Sequence, residues 1–182
     1  MTLSTPPHNH LMMTTLPAMV FAEAKSALQR NWTEFCSLPI EYTSYEDTTA
    51  ILLRHLPWPY GDDEAKDDLR IVNWPILQMD QGFQNLLFAL QQVVNKPVAR
   101  VYLVEFGEGI HRQNSWPVGD YDRLIERLHY VVQTNDQVFS ESGGAIAHME
   151  VNTLWWVNNE NQHTITNKGD RDAVHLVFEV WK

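Results

Sequence analysis

The chain contains one cysteine, Cys36, in 182 residues. A single thiol excludes an internal disulfide, which suits a reducing compartment. Positive charge is also scarce: 13 Lys and Arg stand against 23 Asp and Glu, for a formal net charge of -10. No long basic run offsets that deficit, so nucleic acid and anionic membrane are not expected partners, although a cationic substrate is not excluded. No apolar run is long enough to span a bilayer. Residues 11–24 are mildly apolar and Ala22-Glu23-Ala24 faintly resembles a cleavage site, but the positively charged region that should precede them is missing. The expectation is a cytoplasmic protein.

What is present is an ordinary apolar fraction of 44% with seven tryptophans, aromatic mass that suits a β-rich core or a cleft. A chain of this length most simply makes one domain. Residues 1 to about 15 are rich in Thr, Pro and His without periodicity and read as a disordered arm, with His8 and His10 a mobile, exposed pair. Pro17 opens a helix over residues 18–30, with Met19, Phe21, Ala22 and Leu28 as a loose apolar face. Residues 48–56 read as a strand, ended by Pro57, Pro59 and Gly61, and the acidic residues 62–68 as a solvated loop. The strongest helix signal covers residues 83–95, where Phe83, Leu86, Leu87, Leu90 and Val94 recur at helical spacing behind a candidate N-cap, Asp80.

From Pro97 onward the pattern is β. Residues 99–106 alternate cleanly, and Gly107 and Gly109 turn the chain into Ile110-His111. Short β-branched and aromatic runs follow at about residues 124–133, 137–140, 145–149, 153–157, 163–167 and 173–181, separated by Asn, Gly and Asp. The expected fold is mainly β with an α-rich N-terminal third. Its core would be a double-stranded β-helix, jelly-roll or cupin-like, over about residues 98–182 and flanked by helices, in one domain covering 16–182.

Five histidines fall in this β region: His111, His129, His148, His163 and His175. Alternate strand residues share a face, so Arg127 points with His129, and Arg171 with Ala173 and His175. His111 and His163, if on neighbouring strands, would form a pair that suits a first-row transition metal. The plainer readings are a strand-end structural histidine at 163 and an Arg127–His129 pair hydrogen-bonded within the sheet. His148, between Ala147 and Met149, reads as a satisfied structural histidine. Trp155 and Trp156 point to opposite faces, one toward core and one toward a pocket.

In order, the chain shows Gly109-Ile110-His111-Arg112-Gln113, Arg127-Leu128-His129, Thr134-Asn135, Gly143-Gly144, Trp155-Trp156, His163, Asn167-Lys168-Gly169 and Glu179-Val180-Trp181. This ordered set resembles the aspartyl/asparaginyl β-hydroxylase family, a branch of the Fe(II)/2-oxoglutarate oxygenases with the double-stranded β-helix fold. The resemblance implies a hydroxylase that binds Fe(II) and 2-oxoglutarate and acts on an amino acid or on an Asp or Asn residue of a peptide or protein. It implies His111 and His163 as iron ligands, with Gln113 at the third position. Arg127, His129 and either Arg171 or His175 would hold the 2-oxoglutarate carboxylates, and Tyr102 would donate a hydrogen bond to the cosubstrate. A cationic Arg127–His129 pair would suit such a dianion.

Two positions depart from the family pattern. Gln113 stands where a ligand Asp is usual, which leaves Gln113, Asp120, Asp122 or water to complete the metal site. Ala173 stands where a last-strand Arg usually grips the cosubstrate, and Arg171 and His175 lie one step to either side. Of these, Arg has the planar fork that a carboxylate matches. The alternative reading is a catalytically silent β-helix domain that binds a small ligand or a protein partner. A third is a cupin-like metalloenzyme that uses another metal without 2-oxoglutarate. Oligomeric state is not legible in the sequence.

Overall fold

The structure, a computed structural model, describes residues 9–35, 50–55, 72–73, 80–109, 111–114 and 124–182. At 30–35, 50–52, 54–55, 72–73 and 111–114 it describes the backbone alone. In chain order the elements are β1 (His10–Thr15), α1 (Ala18–Phe35), β2 (Ala50–His55), β3 (Val72–Asn73), α2 (Gln81–Val94), β4 (Val98–Phe106) and β5 (His111–Asn114). They continue with β6 (Ile125–Gln133), β7 (Val138–Ser142), β8 (Ala145–Ala147), β9 (Thr153–Val157), β10 (His163–Asn167) and β11 (Ala173–Trp181). No described helix is long and apolar enough to cross a membrane.

Strands β4 to β11 are one long antiparallel hairpin rolled up on itself. β7 pairs with β8 at its tip, then β6 with β9, β5 with β10 and β4 with β11. Rolling brings β11 beside β6 and β10 beside β7. The result is a sheet of order β1-β9-β6-β11-β4-β2-β3 facing one of order β5-β10-β7-β8. This is the mainly β, double-stranded β-helix architecture that the turn-punctuated runs predict. The tip is set by Gly143 and Gly144, both at positive φ (53° and 81°), with Ser142 opposite Ala145. Two successive left-handed residues in a two-residue loop match the right-handed twist of the flanking strands, and glycine takes that conformation without a Cβ penalty.

Alternation along β11 divides the interior. Val174, Leu176, Phe178 and Val180 pack with Leu128, Tyr130 and Val132 of β6, Leu154 and Trp156 of β9, and the helices, through Ala24, Ala27 and Leu28 of α1 and Phe83, Leu86 and Leu90 of α2. Asp80 caps α2 by accepting from the Gly82 backbone N–H at 2.9 Å, and Asn95 closes it in the left-handed conformation. Gly82 also lets the helices touch, since a Cβ there would lie 2.9 Å from the Ala27 Cβ and the Glu23 carbonyl oxygen. Ala173 and Val177 face the other sheet and join Tyr102, Val104, Phe106, Val138 and Ile165 in a second cluster.

The N-terminal arm is where the structure corrects the sequence reading. Residues 10–15 are a strand, β1, paired with β9 at the edge of the larger sheet. The two-residue period is faint because most of its residues are exposed, Leu11, Met12 and Met13 among them. The strand is held by ladder bonds and by polar contacts: Asn9 reaches Gly143 and Asn161, and His10 reaches Ser140. Helix α1 also runs five residues beyond its expected end at Arg30, to Phe35.

Two motifs of the family resemblance are fold devices. Asn135 donates to the Arg171 carbonyl at 2.7 Å and accepts from the Gln137 N–H at 2.9 Å. Asn167 donates to the Phe106 carbonyl at 2.8 Å and accepts from the Gly169 N–H at 3.0 Å. The two amides also bond each other at 3.1 Å, so the β6–β7 and β10–β11 turns are locked together. A Cβ at Gly169 would fall 2.2 Å from Asn135 Oδ1, and Asn135 cannot yield without breaking three hydrogen bonds. Gly169→Ala is therefore expected to lower stability by about 2 kcal/mol. A urea unfolding midpoint equal to that of the native sequence would refute this account of the turn.

Candidate functional site

The faces that the two sheets turn toward each other carry charge as well as apolar residues. The centre is Glu179 on β11, which is 0% exposed. Its Cα partner on β6 is Arg127. On β4 the register jumps, with Phe178 opposite Val101 and Val180 opposite Val98, so Ala99 and Arg100 together face Glu179. That bulge aims Arg100 at the carboxylate. Arg100 donates from Nε to Oε2 at 2.6 Å and from Nη2 to Oε1 at 3.2 Å. Arg127 donates to Oε1 from Nε at 2.9 Å and from Nη2 at 2.8 Å. Burial alone would raise the Glu179 pKa, but the two guanidinium groups outweigh it and hold the carboxyl at about 2. The trio carries one net positive charge.

Arg127 also reaches the opposite sheet. Its Nη1 lies 3.4 Å from Nε2 of His163 on β10. The other ring nitrogen of His163, Nδ1, is 3.0 Å from the Asn161 carbonyl. A carbonyl only accepts, so Nδ1 carries the proton and Nε2 presents its lone pair to Arg127.

His129 and His175 are buried and meet Nδ1 to Nδ1 at 3.3 Å, and Phe106 packs edge-on against His175. Their Nε2 atoms are buried and make no hydrogen bond among the described residues. Burial, then the charges of His175 and Arg127 among others, hold the His129 pKa well below its ordinary value. Burial and then His148 hold that of His175 at about 4. Both rings are neutral at pH 7, so the expected cationic Arg127–His129 pair is corrected: the positive charge is that of the arginines.

The remaining expected site residues divide. Tyr102 is buried beside Val177 in the inter-sheet cluster. Arg171 is not brought to the site. Its side chain is 78% exposed and lies 3.8 Å from Asp170, because β11 begins at Ala173 and the strand period does not extend back into the turn. β5 does neighbour β10, but His111 is opposite Thr166 and Gln113 opposite Thr164, whereas Asn114 is opposite His163. With a period of two, His111 and Gln113 are one residue out of phase with His163. Asp120 and Asp122 lie outside the described residues, as do His8 and the acidic loop at 62–68. His148 is satisfied, with Nδ1 donating to the Val138 carbonyl at 2.8 Å. Trp156 packs toward the helices, and Trp155 sits opposite His129 and bonds Thr153. Sequence reading missed Arg100 and Glu179 as site residues. The available signal was an isolated Glu within the apolar run AVHLVFEVW and an arginine in each of the two runs that flank it.

Among the described residues no group of three or more His, Cys, Asp or Glu side chains could hold a metal ion. The pKa shifts set a pH dependence. Unfolded, His175 takes a proton near pH 6.5, whereas folded it does so only near pH 4. The stability tied to burying it neutral is full above pH 6.5 and drains as pH falls toward 4, on the order of 3 kcal/mol over that span. Glu179 acts lower, contributing above its unfolded pKa of 4.5 and losing its share as pH falls through about 2. Urea unfolding between pH 8 and 5 should show the first loss, and His175→Leu should flatten it. A native profile already flat over that range would contradict the neutral assignment.

No protein-family model matches the chain, and no curated protein matches its sequence. Solved structures do match. A prolyl-4-hydroxylase from Pseudomonas putida is 15% identical with a TM-score of 0.55, over 97% of this chain and 94% of that one. An oxidoreductase of the 2OG-Fe(II) oxygenase family from Burkholderia pseudomallei is 11% identical with a TM-score of 0.61, over 94% and 84%. A prolyl hydroxylase from Trichoplax adhaerens is 8% identical with a TM-score of 0.61, over 96% and 84%. At such identities the likeness is one of fold: nearly the whole chain has the fold of these 2-oxoglutarate oxygenases.

Proposed function

We propose that the protein is an Fe(II)/2-oxoglutarate-dependent hydroxylase that acts on an amino acid or on an Asp or Asn residue of a peptide or protein, with its reaction centre between the sheets at His163. The observation that carries this reading is the state of His163. Its Nδ1–H is anchored on a backbone carbonyl and its Nε2 lone pair is turned toward the opposite sheet, the arrangement that a metal-ligating histidine adopts.

The residues present suit the two groups. His163 is a ligand in the required tautomer. The β5 register turns His111 and Gln113 to the other face from His163, so water, or Asp120 and Asp122 of the segment after β5, would complete the ligand set. The net positive charge of the Arg100–Glu179–Arg127 trio suits a carboxylate, and the partnerless Nε2 atoms of His129 and His175 suit a buried polar ligand. When bound, iron and 2-oxoglutarate would supply oxygen activation, with succinate and carbon dioxide as co-products.

The chain's own residues do the rest. Arg127 orients a carboxylate, and Glu179 and Arg100 hold Arg127 in place. His129, His175 and Tyr102 fix the ligand's polar atoms, while Val104, Phe106, Ile165 and Val177 keep water from that end of the site.

A second reading, a catalytically silent β-helix domain that binds a small ligand or a protein, is favoured by Ala173, which sits in the apolar cluster where the resembled family carries an arginine. An anaerobic titration separates the two. Fe(II) and 2-oxoglutarate added together should give a visible charge-transfer band that neither gives alone. His163→Ala should abolish both the band and succinate formation while the far-UV circular dichroism stays unchanged. Unchanged succinate formation in that variant would sink the hydroxylase reading, and absence of the band in folded native protein would favour the silent domain.

A further inference from the structure

We propose that the outer edge of β1 is a dimer interface, where the strand pairs antiparallel with β1 of a second copy of this chain. The larger sheets of the two copies then join edge to edge. This goes beyond the reading of the inter-sheet site and does not rest on it.

β1 ends the larger sheet. It is hydrogen-bonded to β9 on one side, and among the described residues no strand pairs with it on the other. A bare edge offers its row of N–H and C=O groups to any extended segment, and natural sheets guard such edges with lysine, proline, a bulge or a covering segment. β1 contains neither lysine nor proline. Its one guard is the register slip at Met13, which leaves His10–Met12 in regular pairing with β9. Apolar exposure is concentrated on the same strand. Leu11, Met12 and Met13 are 44%, 49% and 41% exposed, and Met19 in the first turn of α1 is exposed as well. These are four of the nine exposed large apolar side chains among the described residues, so they form a contact surface rather than scattered exposure. Methionine suits such a surface, because its flexible thioether adapts to the partner it meets.

Charge selects the occupant. The chain carries a net charge of -10, yet its first charged residue is Glu23, so β1 and the chain before it bring none. Two copies repel each other through their net charge, and β1 is where they meet without setting acidic groups side by side. A charged peptide would find no counter-charge on the strand. The edge therefore fits an uncharged extended segment, and β1 is itself one. Identical strands paired antiparallel about a two-fold axis are self-complementary, and the contact closes at two copies. Pairing on the outer edge would also pin the strand whose first residues reach the smaller sheet, through Asn9 to Gly143 and Asn161 and through His10 to Ser140.

Sedimentation velocity tests this on the full chain, from about 1 to about 100 µM, because a dimer forms by mass action. The native chain should sediment as a dimer at the upper end of that range. The double variant Leu11→Lys/Met13→Lys should raise the dimer Kd roughly 10-fold or more, since like charges then face each other across the axis. Phe88→Lys, an equal change at an exposed apolar residue of α2, should leave the dimer as it is. A native chain that stays monomeric throughout overturns the proposal. So does a dimer that survives the double variant unchanged, or one that Phe88→Lys dissociates equally. Should the double variant lose its near-UV circular dichroism, hydrogen exchange of the native chain decides instead. Backbone amides of residues 10–15 should exchange more slowly at the upper concentration than at the lower, and equal rates overturn the interface.

Discussion

A carboxylate with no access to water must be paired, and Glu179 is such a carboxylate. It sits on β11, the strand hydrogen-bonded to both β4 and β6, so its partners come from the two strands beside it. Arg127 arrives by simple register. Arg100 arrives because β4 bulges by one residue opposite Glu179. Removing one partner of such a group leaves a charge buried and uncompensated, which typically costs about 3–5 kcal/mol. The registers of β4 and β6 against β11 are thus fixed twice, by the ladder and by this ion cluster, and a slip of one residue would take both arginines off the carboxylate.

The same cluster ties the fold to the site. The surplus positive charge of two arginines on one carboxylate is held where the two sheets face each other. A chain of polar contacts runs from Arg100 through Glu179 and Arg127 to His163, crossing from the larger sheet to the smaller. The His10–Ser140 bond makes a second crossing, from the edge strand β1. Apolar packing fills the space toward Phe106 and Ile165, so polar and apolar parts of the interior lie side by side along β11. The candidate site and the stability of the fold therefore draw on the same side chains, and the acid sensitivity expected of the fold comes from groups that also line that site.

Much of this was legible because the rolled hairpin is made of strands with ordinary signals. The strands at 153–157, 163–167 and 173–181 have clear apolar runs bounded by Asn, Gly and Asp, and their bounds agree with the structure. β1 was not legible, since an edge strand with most residues exposed carries little alternation and takes its order from its neighbours. Arg171 was misassigned when the strand period was extended past the strand's first residue. Arg100 and Glu179 were overlooked because alternation marks which residues share a face within one strand but not the register between strands, and the bulge that joins them is a tertiary feature. Asn135, Asn167 and Gly169 were read as family marks, whereas their physical basis is a lock between two turns.

The charge of the site was the least legible property, since it depends on burial rather than residue type. His129 and His175 share a single proton across their Nδ1 contact. Whichever ring donates it has a bare Nε2, and the other ring must carry its proton on Nε2. The pair therefore offers one acceptor and one donor, both without a partner among the described residues. A fully ionised carboxylate satisfies only the donor. A hydroxyl, a carboxamide or a water satisfies both. On the proposed reading, carboxylate recognition would fall to Arg127, whose fork supplies the charge, while the histidine pair would read the neutral part of the ligand. Two neighbouring residues on one strand face, Arg127 and His129, thereby offer different chemistry, one a charge and the other a hydrogen-bond pattern.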